Sequence, residues 1–143
     1  SITWINNVNA VDQNFDSHIS MGSGYVSMNA SALDSSLNST VQVNVSVASC
    51  ENWQVYYASQ PVDNITHLQS VGSVIGSGHD DQGTCSDPCQ SVTCVNNRLV
   101  IEMSHLDGVG GEGANAIPEF STYALLLALA LTIGGFVVLR KRK

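Results

Sequence analysis

The side chains of this chain that bear on catalysis are its histidines and its many serines. The histidines His18, His67, His79 and His105 are scattered, and no H-E-x-x-H sequence is present. No G-x-S-x-G sequence marks any serine as a nucleophile. The sequence therefore predicts a protein that is not an enzyme.

An acidic loop offers the best candidate site for a ligand. Residues 76–87, GSGHDDQGTCSD, contain Asp80, Asp81 and Asp87, and carboxylates are the ligands that Ca²⁺ prefers. The spacing does not match an EF-hand loop, and a solvated acidic loop is the alternative interpretation. Ca²⁺ is the one cofactor that the sequence suggests. His105 follows an expected strand, and we expect it to pack rather than to ligate a metal.

The cysteines are expected to form two disulfides, because an even count in a small exported domain is typical of a disulfide framework. They are Cys50, Cys85, Cys89 and Cys94. Three pairings are possible. Cys50 lies far upstream of the others, so we expect one bridge from Cys50 to the segment 85–94 and the other bridge within that segment. A zinc site that also uses His79, Asp80 or His105 is the alternative, but C-x₃-C-x₄-C lacks the second paired motif that is usual for zinc.

Four N-glycosylation sequons lie in the first half of the chain. They begin at Asn29, Asn38, Asn44 and Asn64. In the alternating segment VQVNVSV, Asn44 must point away from the valines and therefore outward. We expect N-glycans at two or three of these positions.

Charge divides the chain into two parts. Residues 1–120 carry all twelve Asp and Glu residues and one basic residue, Arg98, whereas the last four residues, 140–143, are all basic. The acidic part has no Lys/Arg surface that could release counterions from a phosphate backbone, which excludes nucleic acid as a partner.

The C-terminal part has the pattern of a membrane anchor. Residues 121–139, STYALLLALALTIGGFVVL, are uncharged and would span roughly 28 Å as a helix, close to the thickness of a bilayer core. Tyr123 suits one interface, and the basic residues 140–143 predict a cytoplasmic C-terminus and an external N-terminus. A buried core helix is the alternative, but such a helix would show a polar stripe.

Export also needs an N-terminal signal. Residues 1–10 are polar, so either a signal preceding Ser1 has been removed or the chain is the C-terminal piece of a longer protein.

Alternating patterns predict the strands. Residues 41–47, VQVNVSV, place four valines on one face and polar side chains on the other. Residues 53–58 and 98–104 are two further strands. Asn96-Asn97 suits a tight turn that joins residues 92–95 to the strand at 98–104 in a hairpin.

The remaining segments complete an all-β fold. Residues 3–8 and 25–29 are weaker strand candidates, and residues 63–71 predict a helical turn capped by Asp63. Five to seven short strands, together with cysteines that can cross-link them, predict a small Ig-like two-sheet sandwich with disulfides over residues 1–106. A Gly-rich linker over residues 107–120 and a single C-terminal transmembrane helix would follow.

The tail resembles a known sorting signal. The short motif Pro118-Glu119-Phe120, the apolar segment 121–139 and the basic cluster 140–143 together resemble the PEF-type C-terminal signals of archaeal surface proteins. Such signals are substrates of archaeosortase-type membrane proteases. The resemblance implies export, cleavage near Pro118–Phe120 and re-attachment through a lipid.

The first part of the chain also resembles a known domain. Leu37-Asn38 before the first long strand and Ser104-His105-Leu106 after the last one are similar to positions in the C-terminal β-sandwich domain of archaeal adhesin-like surface proteins. This resemblance implies a non-catalytic sandwich that lies next to the sorting signal.

These patterns lead to one main functional hypothesis and two alternatives. The main hypothesis is a structural or adhesive module on the outside of an archaeal-type cell envelope, either single-pass or lipid-anchored. The first alternative is a subunit of an extracellular filament or sheath that self-associates through strand edges. The second alternative is a surface protein that binds a glycan or Ca²⁺. The expected partners are the membrane, the processing protease, N-glycans and further copies of the chain.

Overall fold

The fold is seen in a computed structural model, which describes residues 1–113. In chain order the elements are β1 (Ile2–Trp4), α1 (Phe15–His18), β2 (Ile19–Gly22), β3 (Tyr25–Met28), β4 (Val41–Ser46), β5 (Trp53–Ala58), α2 (Ile65–Val71), β6 (Ser73–His79), β7 (Gln82–Cys85), β8 (Cys89–Val95), β9 (Arg98–Met103) and β10 (Gly108–Gly113). Two 3₁₀ turns, Ala30–Ala32 and Ser35–Leu37, lie between β3 and β4.

The strands form two antiparallel sheets. One sheet has the order β1-β4-β9-β8, and the other has the order β2-β3-β10-β5-β6-β7. The predicted all-β, two-sheet class is therefore confirmed. The described residues hold ten strands rather than the five to seven expected, because β2, β6, β7 and β10 were not recognised in the sequence.

The alternating segment forms a central strand, as predicted. Val41, Val43 and Val45 of β4 are at most 3% exposed, while the polar residues between them face outward. On β9 the buried residues also alternate, and β4 and β9 pair in register from Val41 to Ser46. The predicted hairpin between β8 and β9 is confirmed: Asn96 and Asn97 both have positive φ, which is the geometry that a tight hairpin turn requires.

Trp53 fills the inner face of the six-stranded sheet across three strands. Its register partner on β6 is Gly78, whose partner on β7 is Gly83. A Cβ atom at either glycine would collide with the indole ring, so the ring lies over both strands. The indole Nε1 donates a hydrogen bond to the carbonyl of Asp80, at 2.9 Å. The Trp53 ring therefore covers the inner face of β6 and β7 in place of side chains from those strands, and it requires glycine at positions 78 and 83.

The predicted linker over residues 107–120 is wrong in its first part. Residues 108–113 form β10, a central strand between β3 and β5, so the sandwich extends at least to Gly113. The glycines are needed because neighbours approach closely. A Cβ at Gly110 would lie 2.7 Å from Leu68 Cδ2, and one at Gly111 would collide with the end of the Leu99 side chain.

A second, smaller core lies on the outer face of the six-stranded sheet, beneath α2. Its buried members are Tyr25, Ala58, Val62 and Leu68. The short helix was predicted, but its cap is Asn64 rather than Asp63. The Asn64 side chain accepts a hydrogen bond from the backbone N–H of His67, at 2.7 Å, which satisfies one donor of the first turn.

Candidate functional site

The two long seams of the sandwich, where the edges of the two sheets meet, differ in construction. At the closed seam, the edge strands β7 and β8 are joined by the disulfide Cys85–Cys89. The second disulfide, Cys50–Cys94, ties the β4–β5 connection to β8 over a sequence separation of 44 residues. The expected arrangement, with one bridge from Cys50 into the segment 85–94 and one within it, is confirmed. The zinc alternative is wrong, because no cysteine is left free to bind a metal.

At the open seam, the edge strands β1 and β2 have no covalent link and enclose a cleft of about 290 Å³. Its lining residues are Ser1, Ile2, Trp4, Phe15, Ile19 and Met21. The rings of Trp4 and Phe15 lie 6.2 Å apart, and the Trp4 indole donates to the Leu37 carbonyl at 2.9 Å. Met21 is 60% exposed. The cleft is therefore mostly apolar and open to solvent.

The open seam lacks charges and prolines, two of the features that usually protect strand edges, although its strands are short, at 3 and 4 residues. The sequences of β1, ITW, and β2, ISMG, contain no charged residue and no proline. Each strand pairs on one side only, β1 with β4 and β2 with β3, so the other backbone edge is available. Charges, prolines and bulges are the common means of preventing edge-to-edge association. This seam can accept another strand.

The predicted Ca²⁺ loop is a β-hairpin instead. Residues 76–87 run through β6, a turn at Asp80 and Asp81, and β7. Asp80 has positive φ and pairs with His79, with 3.0 Å between Nδ1 and Oδ2. Within residues 1–113, no three His, Cys, Asp or Glu side chains form a group that could hold a metal ion. The structure thus does not bring Asp80, Asp81 and Asp87 together, because the hairpin separates the turn from the residue that follows β7.

His105 belongs to a hydrogen-bond network at the connection between β9 and β10. The Tyr57 hydroxyl donates to Asp107 Oδ2 at 2.8 Å and lies 3.0 Å from His105 Nε2. Since the phenol has one proton, it accepts from the Nε2–H of His105. The other ring nitrogen, Nδ1, lies 3.1 Å from the Ser104 hydroxyl, and the Tyr57 and His105 rings meet edge to face.

The Tyr57 phenol of this network has a raised pKa and links two parts of the fold. Burial raises the pKa of the Tyr57 phenol, and the hydrogen bond to Asp107 and the charges of Asp107 and Asp87 raise it further. The phenol therefore remains a donor at neutral pH, and it ties β5 to the β9–β10 connection. His105 packs against Tyr57, in agreement with the role expected for it.

All four sequon asparagines lie outside the two cores. Asn38 and Asn64 are exposed, whereas Asn29 and Asn44 are half-buried. Asn29 Oδ1 accepts a hydrogen bond from the Ser31 hydroxyl of its own sequon, at 2.9 Å. Asn44 lies on the outer face of β4, as its alternation predicted. Glycosylation at these positions stays a prediction.

Several predicted features lie outside the described residues. These are the sorting motif Pro118-Glu119-Phe120, the apolar segment 121–139 and the basic cluster 140–143. Among residues 1–113, no helix has the length and apolar character needed to cross a membrane. Comparison with protein-family models, with curated proteins and with solved structures gave no match.

Sequence reasoning missed the open seam because its strands are short. β1 was expected in residues 3–8, and β2 was not expected at all. A signal was present, since Ile19 and Met21 alternate with polar residues in the uncharged stretch that follows His18. Four residues of alternation are too few to separate a strand from a loop.

Proposed function

We propose that this chain is a non-catalytic structural or adhesive module on the outside of an archaeal-type cell envelope. In this proposal an Ig-like sandwich is followed by a short linker and a single C-terminal helix, and the N-terminus is outside. The helix holds the protein at the cell surface, or an archaeosortase-type protease replaces it with a lipid. N-glycans on the outer surface complete the module.

The observation that supports this proposal most is the pairing of all four cysteines at the two ends of one strand, β8. Disulfides of this kind persist in oxidising environments, outside the cytoplasm. The acidic surface and the position of the sequons outside the cores agree with an exposed location.

The experiment that tests this proposal is intact-mass and terminal-peptide analysis of the protein from its native membrane. A chain that ends near Phe120 and carries a lipid-sized added mass would support a sorted surface protein. An intact tail through Lys143 would instead support a permanent membrane anchor. A chain recovered only from the cytoplasm, with its four cysteines reduced, would refute a surface role.

The open seam favours one second candidate function, a subunit that assembles with further copies of itself through strand edges. Edge strands without charge do not repel each other, and β2 of one copy can pair antiparallel with β2 of another to extend the six-stranded sheet. This pairing would bury Met21. The closed seam is unsuited to the same role, because β7 and β8 are already tied to each other.

Two matched substitutions test this assembly. Met21 is 60% exposed on β2, and Val95 is 51% exposed on β8, so both are solvent-facing apolar residues on edge strands. Loss of a buried methionine contact, at about 1.5–3 kcal/mol, would weaken self-association roughly 10- to 100-fold in Met21→Lys. Val95→Lys should leave self-association unchanged. Sedimentation velocity over a wide concentration range measures both, and a monodisperse monomer in the unsubstituted chain would rule the assembly out.

A further inference from the structure

A second surface feature, distinct from the open seam, lies on the outer face of the six-stranded sheet. It is a groove of about 620 Å³ across β10, β5 and β6. Its lining residues are Asn52, Trp53, Gln54, Ser77, Gly78, His79 and Glu112. The helix α2 packs on the neighbouring part of β10 and β5, and its residue Gln69 contacts Glu112 at the border of the groove. The groove therefore lies beside α2, on a part of the sheet that the helix leaves uncovered.

Three polar side chains form a row across the floor of the groove. Glu112 on β10 is the register partner of Gln54 on β5, and Gln54 is the partner of Ser77 on β6. Neighbouring strands are about 4.8 Å apart, so the row extends over roughly 10 Å.

The contacts within the protein leave this row free to bind a ligand. Gln54 Oε1 accepts a hydrogen bond from the Tyr56 hydroxyl at 2.8 Å, so the Gln54 amide group faces outward as a donor. One carboxylate oxygen of Glu112 contacts Gln69, and the other remains as an acceptor. Within residues 1–113, the side chains of Ser77 and Asn52 make no hydrogen bond. The row thus offers a donor, an acceptor and a hydroxyl that can be either.

Charge restricts the class of ligand. Glu112 is the one carboxylate in the groove, and neither lysine nor arginine lines it. The one histidine that lines it, His79, is already paired with Asp80. A phosphate, a sulfate or an acidic sugar would meet a negative charge without a cation to balance it. A neutral polyhydroxyl ligand suits the row, because adjacent hydroxyls donate to a carboxylate and accept from an amide at the same time.

Backbone pairing excludes the addition of a peptide strand to the sheet within the groove. The strands β10, β5 and β6 each have neighbours on both sides, so their backbone groups are already paired. A peptide strand could therefore add to the sheet only at its edges, β2 and β7.

From these contacts we infer that the groove binds a neutral pyranose sugar through Gln54, Glu112 and Ser77. Trp53 is only 1% exposed, so no aromatic face is available for stacking against the sugar, and a single site should bind with a Kd of about 1 mM, or about 4 kcal/mol. Many copies on one surface raise such an affinity through avidity. This inference rests on the proposed adhesive role for its biological setting.

The test is an NMR titration of the isotopically labelled full chain in detergent with neutral methyl pyranosides of glucose, galactose, mannose and N-acetylglucosamine. At least one sugar should give saturable shifts at the amides of Gln54, Ser77 and Glu112, with a Kd of about 1 mM. Glucuronic acid should bind at least about tenfold more weakly, because its carboxylate faces Glu112.

A matched pair of variants locates the site. Glu112→Gln should weaken sugar binding by about tenfold, the effect of one charge-assisted hydrogen bond. On the other sheet, Glu102 is the register partner of Gln42 and does not line this groove, so Glu102→Gln should leave the Kd unchanged. Shifts that map to the open seam, equal effects of the two variants, or no saturation by any neutral sugar at about 50 mM would overturn the inference. These outcomes are independent of the terminal-peptide analysis and of the self-association measurement.

Discussion

Removal of each disulfide should cost a different free energy of unfolding. The Cys50–Cys94 bridge closes a loop of 44 residues, which corresponds to about 4 kcal/mol in the chain-entropy relation. The Cys85–Cys89 bridge closes a loop of 4 residues, which corresponds to about 2 kcal/mol. Each bridge includes one cysteine that is at most 5% exposed, so the costs of the small cavities left by alanine should be similar. We therefore expect the double variant Cys50→Ala/Cys94→Ala to be less stable than Cys85→Ala/Cys89→Ala by about 2 kcal/mol.

Equilibrium urea unfolding of the full chain, followed by tryptophan fluorescence in one detergent, measures this difference. Trp53 is a suitable probe because it is buried and bonded to the β6–β7 turn. Double variants avoid a free thiol in either protein. An equal loss, or a larger loss from the short bridge, would refute the reasoning and would show that the link between β7 and β8 contributes more than loop closure.

Three further predictions follow from local contacts. Gly78→Ala should lower stability by about 1–3 kcal/mol, because the new Cβ meets the Trp53 ring and the backbone of β7. Gly111→Ala should cost less, because its closest contact is the end of the Leu99 side chain and the nearest backbone atom lies 3.4 Å away. Thermal unfolding compares the two variants. Asn64→Ala should cost about 1 kcal/mol through loss of the α2 cap, and Asn64→Asp, which keeps the accepting oxygen, should not, by the same measurement. Hydrogen bonds from the backbone and hydroxyl of Ser36 lower the pKa of the Asp34 carboxyl group in the folded protein. The ionised carboxylate should therefore stabilise the fold above about pH 4, and this stabilisation should be lost as the pH falls through the lowered pKa of the folded state. Acid titrations of the free energy of unfolding should show this dependence in the parent chain and not in Asp34→Asn.

Each of these predictions has an outcome that contradicts it. Equal melting temperatures of the two glycine variants would mean that the indole ring moves aside without cost. If Asn64→Asp were as unstable as Asn64→Ala, the cap would not be the cause. The cause would then be a feature that both variants lose, either the sequon or the hydrogen bond that Asn64 Nδ2 donates to Asp63 Oδ1. A pH profile of Asp34→Asn that matches the parent chain would assign the acid dependence to another carboxyl group.

Much of the first sheet was predictable because its signals are local. The alternation of residues 41–47 indicates a strand with one buried face. The pair Asn96-Asn97 indicates a tight turn, because asparagine adopts positive φ more readily than most residues. These features depend on neighbours within a few residues. The sequence separation of Cys50 from the other cysteines likewise predicted where the long bridge would lie.

The second sheet was harder to predict because its strands are rich in glycine. The sequences of β6, SVIGSGH, and β10, GVGGEG, resemble loops, since glycine is intrinsically unfavourable in strands. Here the glycines are required by side chains from distant parts of the chain. Trp53 lies over β6 and β7, and Leu68 lies against β10. The same misreading made the β6–β7 hairpin look like an acidic Ca²⁺ loop.

The sequence by itself therefore determined the all-β class, the expectation of two disulfides and the division of charge between the two parts of the chain. Each of these follows from composition or from short-range periodicity. Only the tertiary structure decided which cysteines pair, which seam is open and where a row of polar side chains forms a groove. Those features arise from contacts between residues far apart in the chain, and such contacts exist only once the two sheets have packed.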